Sequence, residues 1–442
     1  MLNLLAHNYL TRGFWGDEAW TSMISRLPYS QMLKTTASDF HPPGYYTLIG
    51  LVYKFLPPTE VNTRFVSLVF YFLTAFMVYK LASYVRGRTF GILSAVVVLL
   101  NPIFFTYAFE ARNYTMFAFA ATGSVFFLIE LSKKFTKLKA LGFVLFTLLG
   151  IYTHYYMFFI LCAEGLYLLL FDRKILFKVT FLYLIDAILY LPWLKALLSQ
   201  LASVNSSYWI GSIDWKRTHY EALLRILGGE NPNILRDLLF PLSIILLVVG
   251  ILQHVLRKKF EKPYLLIWLW AVVPFVLATL PGLKIGGFHF PFRPIFFWRY
   301  LLGSSVPFAM LMVHSSQKLP KYLMVGSVCV ILILSFAIDL LTFTSEPYSF
   351  REAYREKIVG KINQSDSIVT ILPSFAEVIY YRDRNNIKNP IIVLNEGLVQ
   401  FSGKSLLDTY SADKIVTVGE LPNGSYFDAE RNDSGQIVII KK

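Results

Sequence analysis

Runs of roughly twenty apolar residues recur along the chain, and each is long enough to cross a hydrocarbon core of about 30 Å. No water is available inside a bilayer to satisfy backbone N–H and C=O groups. Such runs therefore fold as helices that close their hydrogen bonds within the segment. Hydropathy places ten spans, at about 62–84, 90–108, 113–131, 139–153, 155–171, 175–194, 238–256, 263–281, 299–316 and 321–343. The fourth and fifth are short enough to be tilted or partly re-entrant. Composition agrees, with 55% hydrophobic and only 16% charged residues, against roughly a quarter charged in soluble domains. The fold class is a polytopic α-helical membrane protein.

The formal charge of +14 raises the question of nucleic acid. That class is excluded because the Lys and Arg residues gather in short loops between spans. One set of loops carries Arg86 and Arg88, then Lys133, Lys134, Lys137 and Lys139, then Arg173 and Lys174, then Arg257, Lys258, Lys259 and Lys262, then Lys318 and Lys321. The positive-inside rule makes these cytoplasmic. The opposite, extracytoplasmic face of the cell membrane then holds residues 14–61, Glu110–Arg112, Tyr152–His154, the 195–237 and 282–298 loops, and the tail. This arrangement puts the N-terminus outside, although nothing before Phe14 can span. The expectation is a first helix missing from this sequence through truncation or a misassigned start.

Three domains follow. Residues 1–61 form an extracytoplasmic loop with a short interfacial stretch from Tyr45 to Leu56, and 62–345 form the membrane domain. Residues 346–442 form a small α/β domain. Its apolar runs Ser367–Leu372, Pro390–Leu394, Lys414–Val418 and Gln436–Ile440 alternate with helix-like stretches at Arg351–Lys361 and Phe375–Tyr381.

The chemistry-bearing residues cluster on the outer face. Phe14-Trp15-Gly16-Asp17-Glu18-Ala19-Trp20 sets two carboxylates among aromatics. Asp17 and Glu18 can deprotonate an acceptor hydroxyl or hold a divalent cation, or they are solvated loop acids. Asp39 and His41, just before Tyr45, offer a metal-ligand pair or polar contacts in a pocket; otherwise His41 caps the Pro42-Pro43 turn. A divalent ion as cofactor would draw on Asp17, Glu18 and His41. Glu110 with Arg112, and Arg293 with Arg299 and Tyr300, stand at the outer ends of spans, where a guanidinium fork suits phosphate. Ion pairing and interface anchoring explain these residues as well. His154 stands among tyrosines and is a polar pocket group or a satisfied structural one. Glu164 and Asp186 are intramembrane acids, but the spans hold few other relay groups, which speaks against an ion-coupled transporter.

Sugar nucleotides and ATP are cytoplasmic, so a group-transfer enzyme working outside needs a donor that arrives through the membrane. A polyprenyl-phosphate-linked sugar meets that need. Transfer then requires a base on the acceptor and charge relief for the leaving phosphate. At this point FWGDEAW, HPPGYY, Arg64, Arg86-Gly87-Arg88, EARNYTM (110–116), YTHYY and Trp298-Arg299-Tyr300 together resemble glycosyltransferase family 39, whose members are GT-C membrane enzymes related to protein O-mannosyltransferases and the aminoarabinose transferase of lipid A. The resemblance covers about residues 10–345. It implies a catalytic carboxylate in the first outer loop, on Asp17 with Glu18 beside it, and puts Glu110 and Arg112 in the donor or phosphate pocket. It also implies membrane lipids as partners, and an extracytoplasmic acceptor hydroxyl on a protein, lipid or glycan. The absent first helix departs from the family pattern. The rival reading is a flippase for lipid-linked sugars; a weaker one makes the tail a partner-binding scaffold.

Overall fold

The computed structural model describes residues 7–206, 208–211, 214–257, 261–285, 288–289, 292–396, 402–409, 414–416, 424–432 and 434–442. Lys258, Lys259 and the end of the expected strand at 417–418 lie outside the described residues. The chain packs as two compact units. One comprises Met1–Phe65, Leu198–Trp209 and Phe343–Lys442, and the other Val66–Leu197 and Ile210–Thr342. The N-terminal loop and the tail, separate domains by sequence, are thus parts of one unit.

The first unit opens with three short helices, α1 (Gly16–Ser25), α2 (Tyr29–Ala37) and α3 (Gly44–Val52). Trp15 holds the extended N-cap conformation (φ −98°, ψ 170°), and Asp17 and Glu18 in the first turn complement the helix dipole. α1 cannot run on, because Leu27 precedes Pro28 and is steered away from helical angles. α3 starts directly behind Pro42-Pro43, where a fixed φ and a missing N–H suit a helix start. The expected interfacial stretch is helical only to Val52. It buries Tyr45, Tyr46 and Ile49, and leaves Leu51, Phe55 and Leu56 exposed.

The long helices follow: α4 (Glu60–Arg86), α5 (Arg88–Leu99), α6 (Pro102–Ala108), α7 (Tyr114–Lys133), α8 (Lys137–Ile151), α9 (Met157–Phe171), α10 (Arg173–Ser206), α11 (Trp215–Gly228), α12 (Ile234–Arg257) and α13 (Lys262–Thr279). A two-residue hairpin, β1 (Lys284–Ile285) and β2 (Phe288–His289), precedes α14 (Ser305–Ser316) and α15 (Lys321–Thr344). Among the described residues, six helices are long and apolar enough to cross a membrane, or seven if the bent α5–α6 pair is one span. Of the ten expected spans, those at 139–153, 155–171 and 299–316 fall on helices below this length. α8 and α9 have 15 residues each, so at 1.5 Å per residue they reach only about 22 Å. α14 has 12 residues, all buried, with Ser305, His314, Ser315 and Ser316 among them, so it is an interior helix. α5 and α6 meet at a 64° bend. Pro102 removes a backbone donor there, and the Asn101 side chain restarts the helix by accepting from Phe104 N–H at 3.1 Å.

Phe177, Ile188, Ile245 and Ile333 stand exposed on α10, α12 and α15, as lipid-facing side chains do. The intramembrane acids Glu164 and Asp186 are hydrogen-bonded to neighbouring hydroxyls. Glu164 accepts from Ser124 (2.5 Å) and Tyr183 (3.0 Å), and Asp186 accepts from Thr147 (2.5 Å).

The tail returns to the first unit. Its helices are α16 (Phe350–Lys357), opened by a Ser349–Glu352 capping box, and α17 (Phe375–Arg384). Its strands are β3 (Ser367–Ile371), β4 (Ile391–Leu394), β5 (Lys414–Val416), β6 (Tyr426–Arg431) and β7 (Ile437–Lys441), in sheet order β5-β4-β3-β6-β7. All pairs are parallel except β6 with β7. β6 was not anticipated: Tyr-Phe-Asp-Ala-Glu-Arg alternates polar and apolar residues and lacks a continuous apolar run.

Candidate active site

Arg64, near the start of α4, is fully buried. A guanidinium carries five N–H donors, and this one makes five hydrogen bonds. Nε and Nη2 donate to the two carboxylate oxygens of Glu18 at 2.8 and 2.6 Å, and the rest go to the carbonyls of Leu10 (2.7 Å), Arg12 (2.5 Å) and Gly13 (3.0 Å). Arg12 stacks over Tyr9 at 3.6 Å and places Nη2 3.6 Å from the same Glu18 oxygen. A buried charge is tolerable only when fully paired, and here the pairing itself shapes the loop. Residues 10–13 wrap around Arg64, and Glu18 pulls α1 onto it.

Glu18, expected beside Asp17 in a catalytic pair, is thus the ion-pair partner of Arg64. Glu18 is 0% exposed, with both oxygens bound by Arg64, which suits an anchor. Successive helical residues project about 100° apart, so Asp17 leaves α1 in another direction and is half-buried.

The tail holds the same loop from another side. Phe14 N–H donates to the Tyr381 hydroxyl at 2.6 Å, the Phe14 ring meets Tyr380 edge-on at 4.9 Å, and Tyr381 donates to Glu60 at 3.2 Å. Glu377, also on α17, accepts from Arg431 Nη2 at 2.8 Å. Burial pushes the Glu377 carboxyl up to about 7; Arg431 opposes the rise, and the charges of Asp17 and Glu18 add to it.

Asp39 and His41 pair with each other, Oδ2 to Nδ1 at 3.2 Å, and Gln200 donates to the carbonyls of Thr36 and His41 at 2.9 and 3.4 Å. Tyr45 is buried beside Tyr46, whose ring meets Trp20 at 5.3 Å. Among the described residues, no three His, Cys, Asp or Glu side chains come together as a metal site. Asp17, Glu18 and His41 are thus not assembled as the suggested ligand set: Arg64 occupies Glu18, and His41 Nδ1 faces Asp39.

The second unit assembles a cluster of its own. The 109–113 turn is pinned by Ser67, which donates to the Arg112 carbonyl at 3.0 Å, and by Asn113 Nδ2, which donates to the Thr153 carbonyl at 2.7 Å. Those bonds bury Glu110 and Arg112 and set Arg112 6.0 Å from the Tyr114 ring. His154 stacks on Phe117 at 5.0 Å, and its ring lies 5.9 Å from Tyr114, 5.4 Å from Tyr156 and 5.4 Å from Tyr300. Its Nδ1 accepts from Tyr156 N–H at 3.1 Å, so the neutral ring carries its proton on Nε2. The turn Trp298–Ser304 brings in Arg299, stacked over Phe297 (4.8 Å) and Trp298 (5.1 Å). Arg225 covers the same indole at 4.7 Å and pairs with Glu230 at 3.9 Å. Burial raises the Glu230 carboxyl, and Arg299 and Arg225 counter it.

Five expected residues of this unit, Glu110, Arg112, His154, Arg299 and Tyr300, therefore share one neighbourhood. Arg293 does not join it: its side chain is exposed, with no partner among the described residues. Sequence reasoning did not single out Tyr114, Tyr156, Arg225, Glu230 or Glu377, which stand in these clusters. Tyr114 and Tyr156 lay inside quoted motifs, whereas Arg225, Glu230 and Glu377 carry no local signal.

Comparison with known proteins gives two similarities. Residues 40–198 match the family model described as dolichyl-phosphate-mannose-protein mannosyltransferase. That segment contains Arg64, Glu110, Arg112 and His154 and begins after Asp17. Among solved structures, the chain is similar to ArnT from Cupriavidus metallidurans in the apo state (TM-score 0.65, 11% identity, covering 96% of this chain and 90% of that one). It is likewise similar to the same protein bound to undecaprenyl phosphate (TM-score 0.66, 11% identity, the same coverage). The Archaeoglobus fulgidus oligosaccharyltransferase in complex with Zn and sulfate is also similar (TM-score 0.55, 11% identity, 97% of this chain and 69% of that one). No curated protein matches the chain in sequence.

Proposed function

We propose that the chain is a GT-C membrane glycosyltransferase that transfers a sugar from a polyprenyl-phosphate-linked donor to an acceptor hydroxyl outside the cytoplasm, a reading supported by the match of residues 40–198 to a mannosyltransferase family model and by the shared fold. The observation that carries this reading is the fold shared along 96% of the chain with a protein solved with undecaprenyl phosphate bound. The outer location rests on the loop charges, which leave every acidic and aromatic cluster on the face opposite the basic loops.

The chemistry assigns Asp17 as general base. Its carboxylate takes the proton of the acceptor hydroxyl as that oxygen attacks the anomeric carbon; the bond from that carbon to the phosphate oxygen breaks, and polyprenyl phosphate leaves. Attack opposite the leaving group inverts the anomeric centre. Arg112, beside the Tyr114 ring, and Arg299, against Phe297 and Trp298, supply cationic donors for the phosphate. Tyr300, Tyr114 and His154 form the wall of their cluster, and Glu110 sits in the turn that sets Arg112. Glu18 holds the loop through Arg64.

The test is Asp17→Asn in membranes supplied with lipid-linked sugar donors. Transfer should be lost while donor binding persists. Undiminished transfer would remove Asp17 from the role of base.

A further inference from the structure

The residues leading into Asp17 are held by the tail, far away in sequence. Phe14 N–H reaches the Tyr381 hydroxyl across 367 positions, at 2.6 Å. α1 packs against α17, and Gly16, its first residue, faces Glu377: a Cβ there would come to ordinary contact, 3.7 Å, with Glu377 Oε2 and with the Pro373 carbonyl. The other oxygen of Glu377 accepts from Arg431 at 2.8 Å, and Arg431 is itself fixed on β6 by its backbone N–H donating to Ser374 Oγ at 2.9 Å. Glu377 is only 2% exposed, so the line from β6 to the start of α1 runs through packed atoms.

From this geometry we infer that Glu377 is a positioning residue for Asp17. The Arg431–Glu377 pair fixes where the first turn of α1 lies, and so which way the Asp17 carboxylate points. Glu377 is assigned no bond-making role: one of its oxygens serves Arg431, and the other faces the start of α1. The tail becomes a working part of the transferase instead of a detachable module. The inference builds on the reading of Asp17 as base.

The experiment uses the full chain in lipid, with a polyprenyl-phosphate-linked sugar as donor, and follows hydrogen exchange at residues 14–20 alongside kinetics. A misplacement of about 1 Å costs up to about 100-fold in rate, so Glu377→Ala should lower kcat by roughly 10- to 100-fold. Its donor KM should stay within about twofold, the mark of an interaction expressed in the transition state. Exchange at 14–20 should rise. Glu377→Gln keeps the shape and an acceptor for Arg431, so it should stay within about threefold of the parent kcat. Wild-type kcat and exchange in Glu377→Ala, with Asp17→Asn inactive, overturns the inference and leaves the base assignment standing. Glu377→Gln as impaired as Glu377→Ala also overturns it, because that result means a proton role. Full activity in Asp17→Asn removes the base assignment, and the exchange result still decides whether Glu377 holds the helix start. If Glu377→Ala fails to fold, Tyr381→Phe, which removes only the hydroxyl over Phe14 N–H, should raise exchange at 14–20; unchanged exchange counts against the clamp.

Discussion

Arg64 and Glu18 form a bidentate ion pair, 2.6 Å between Nη2 and Oε2, with both side chains fully buried. The pair joins the start of α4 to the helix that carries Asp17, across 46 positions of sequence. Removing one partner of a buried pair costs about 3–5 kcal/mol. Arg64→Met would strand three backbone carbonyls as well, whereas Glu18→Gln leaves them satisfied. Thermal unfolding of the purified protein should therefore rank Arg64→Met well below Glu18→Gln; equal losses would mean that the carbonyl contacts contribute nothing.

Two nearby glycines give a paired steric prediction. A Cβ on Gly13 would stand 1.9 Å from Ser349 Oγ and 2.7 Å from its Cβ, whereas the nearest atoms to a Cβ on Gly16 are 3.7 Å away. Ser349 is also the N-cap of α16 and cannot simply rotate away. Gly13→Ala should destabilise by about 1–3 kcal/mol, the usual cost of overpacking. Gly16→Ala should melt close to the parent protein, and a large loss there would mean that the spacing against α17 is tighter than described.

Glu377 predicts a pH dependence of stability. Its folded carboxyl titrates at about 7, above the ordinary value of 4.5, so the folded state binds the proton more tightly than the unfolded one. The stabilisation is fully present below pH 4.5 and is lost as pH rises through 7. Asp366 acts in the opposite sense at a lower pH: the Asn363 N–H, Ser425 and Lys441 hold it down to about 2. The apparent melting temperature should thus fall between pH 5 and pH 8, and Glu377→Gln should flatten that slope. An unchanged slope in the variant would assign the titration to another group.

Arg299 and Arg293 separate a stacked guanidinium from an exposed one. Arg299 lies against Phe297 and Trp298, while Arg293 is exposed. Because a lysine cannot replace a stacked, forked guanidinium, Arg299→Lys should reduce transfer by about 10-fold, chiefly through donor KM. Arg293→Ala should stay within about twofold of the parent enzyme. The reverse order would move the phosphate contact onto Arg293.

Much of the fold is legible in the sequence because its cause is local. Long apolar runs such as 321–343 mark helices, since the thickness of hydrocarbon is fixed and backbone groups must be satisfied within the segment. Pro102 with Asn101 marks a break, and Pro42-Pro43 marks a start. The strands at Ser367 and Ile391 are visible as short apolar blocks; β6 is hidden because its alternating residues look like a surface loop. The apolar run at 305–316 could not be told from a span, because a helix buried by protein and one immersed in lipid share the same composition.

The site divides along the same line. The sequence by itself singled out the candidate residues: the adjacent carboxylates at 17 and 18, the arginines at 112 and 299, and the histidine at 154. Only the tertiary structure decided what Glu18 meets, because its partner Arg64 lies a helix away, and pairing between two buried charges depends on distance in space. It also decided that the loop around Asp17 and the tail form one packed unit, joined by contacts such as Phe14 to Tyr381. No periodicity encodes a contact between residues 367 positions apart; it arises only when packing leaves a buried N–H and a buried hydroxyl each in need of a partner.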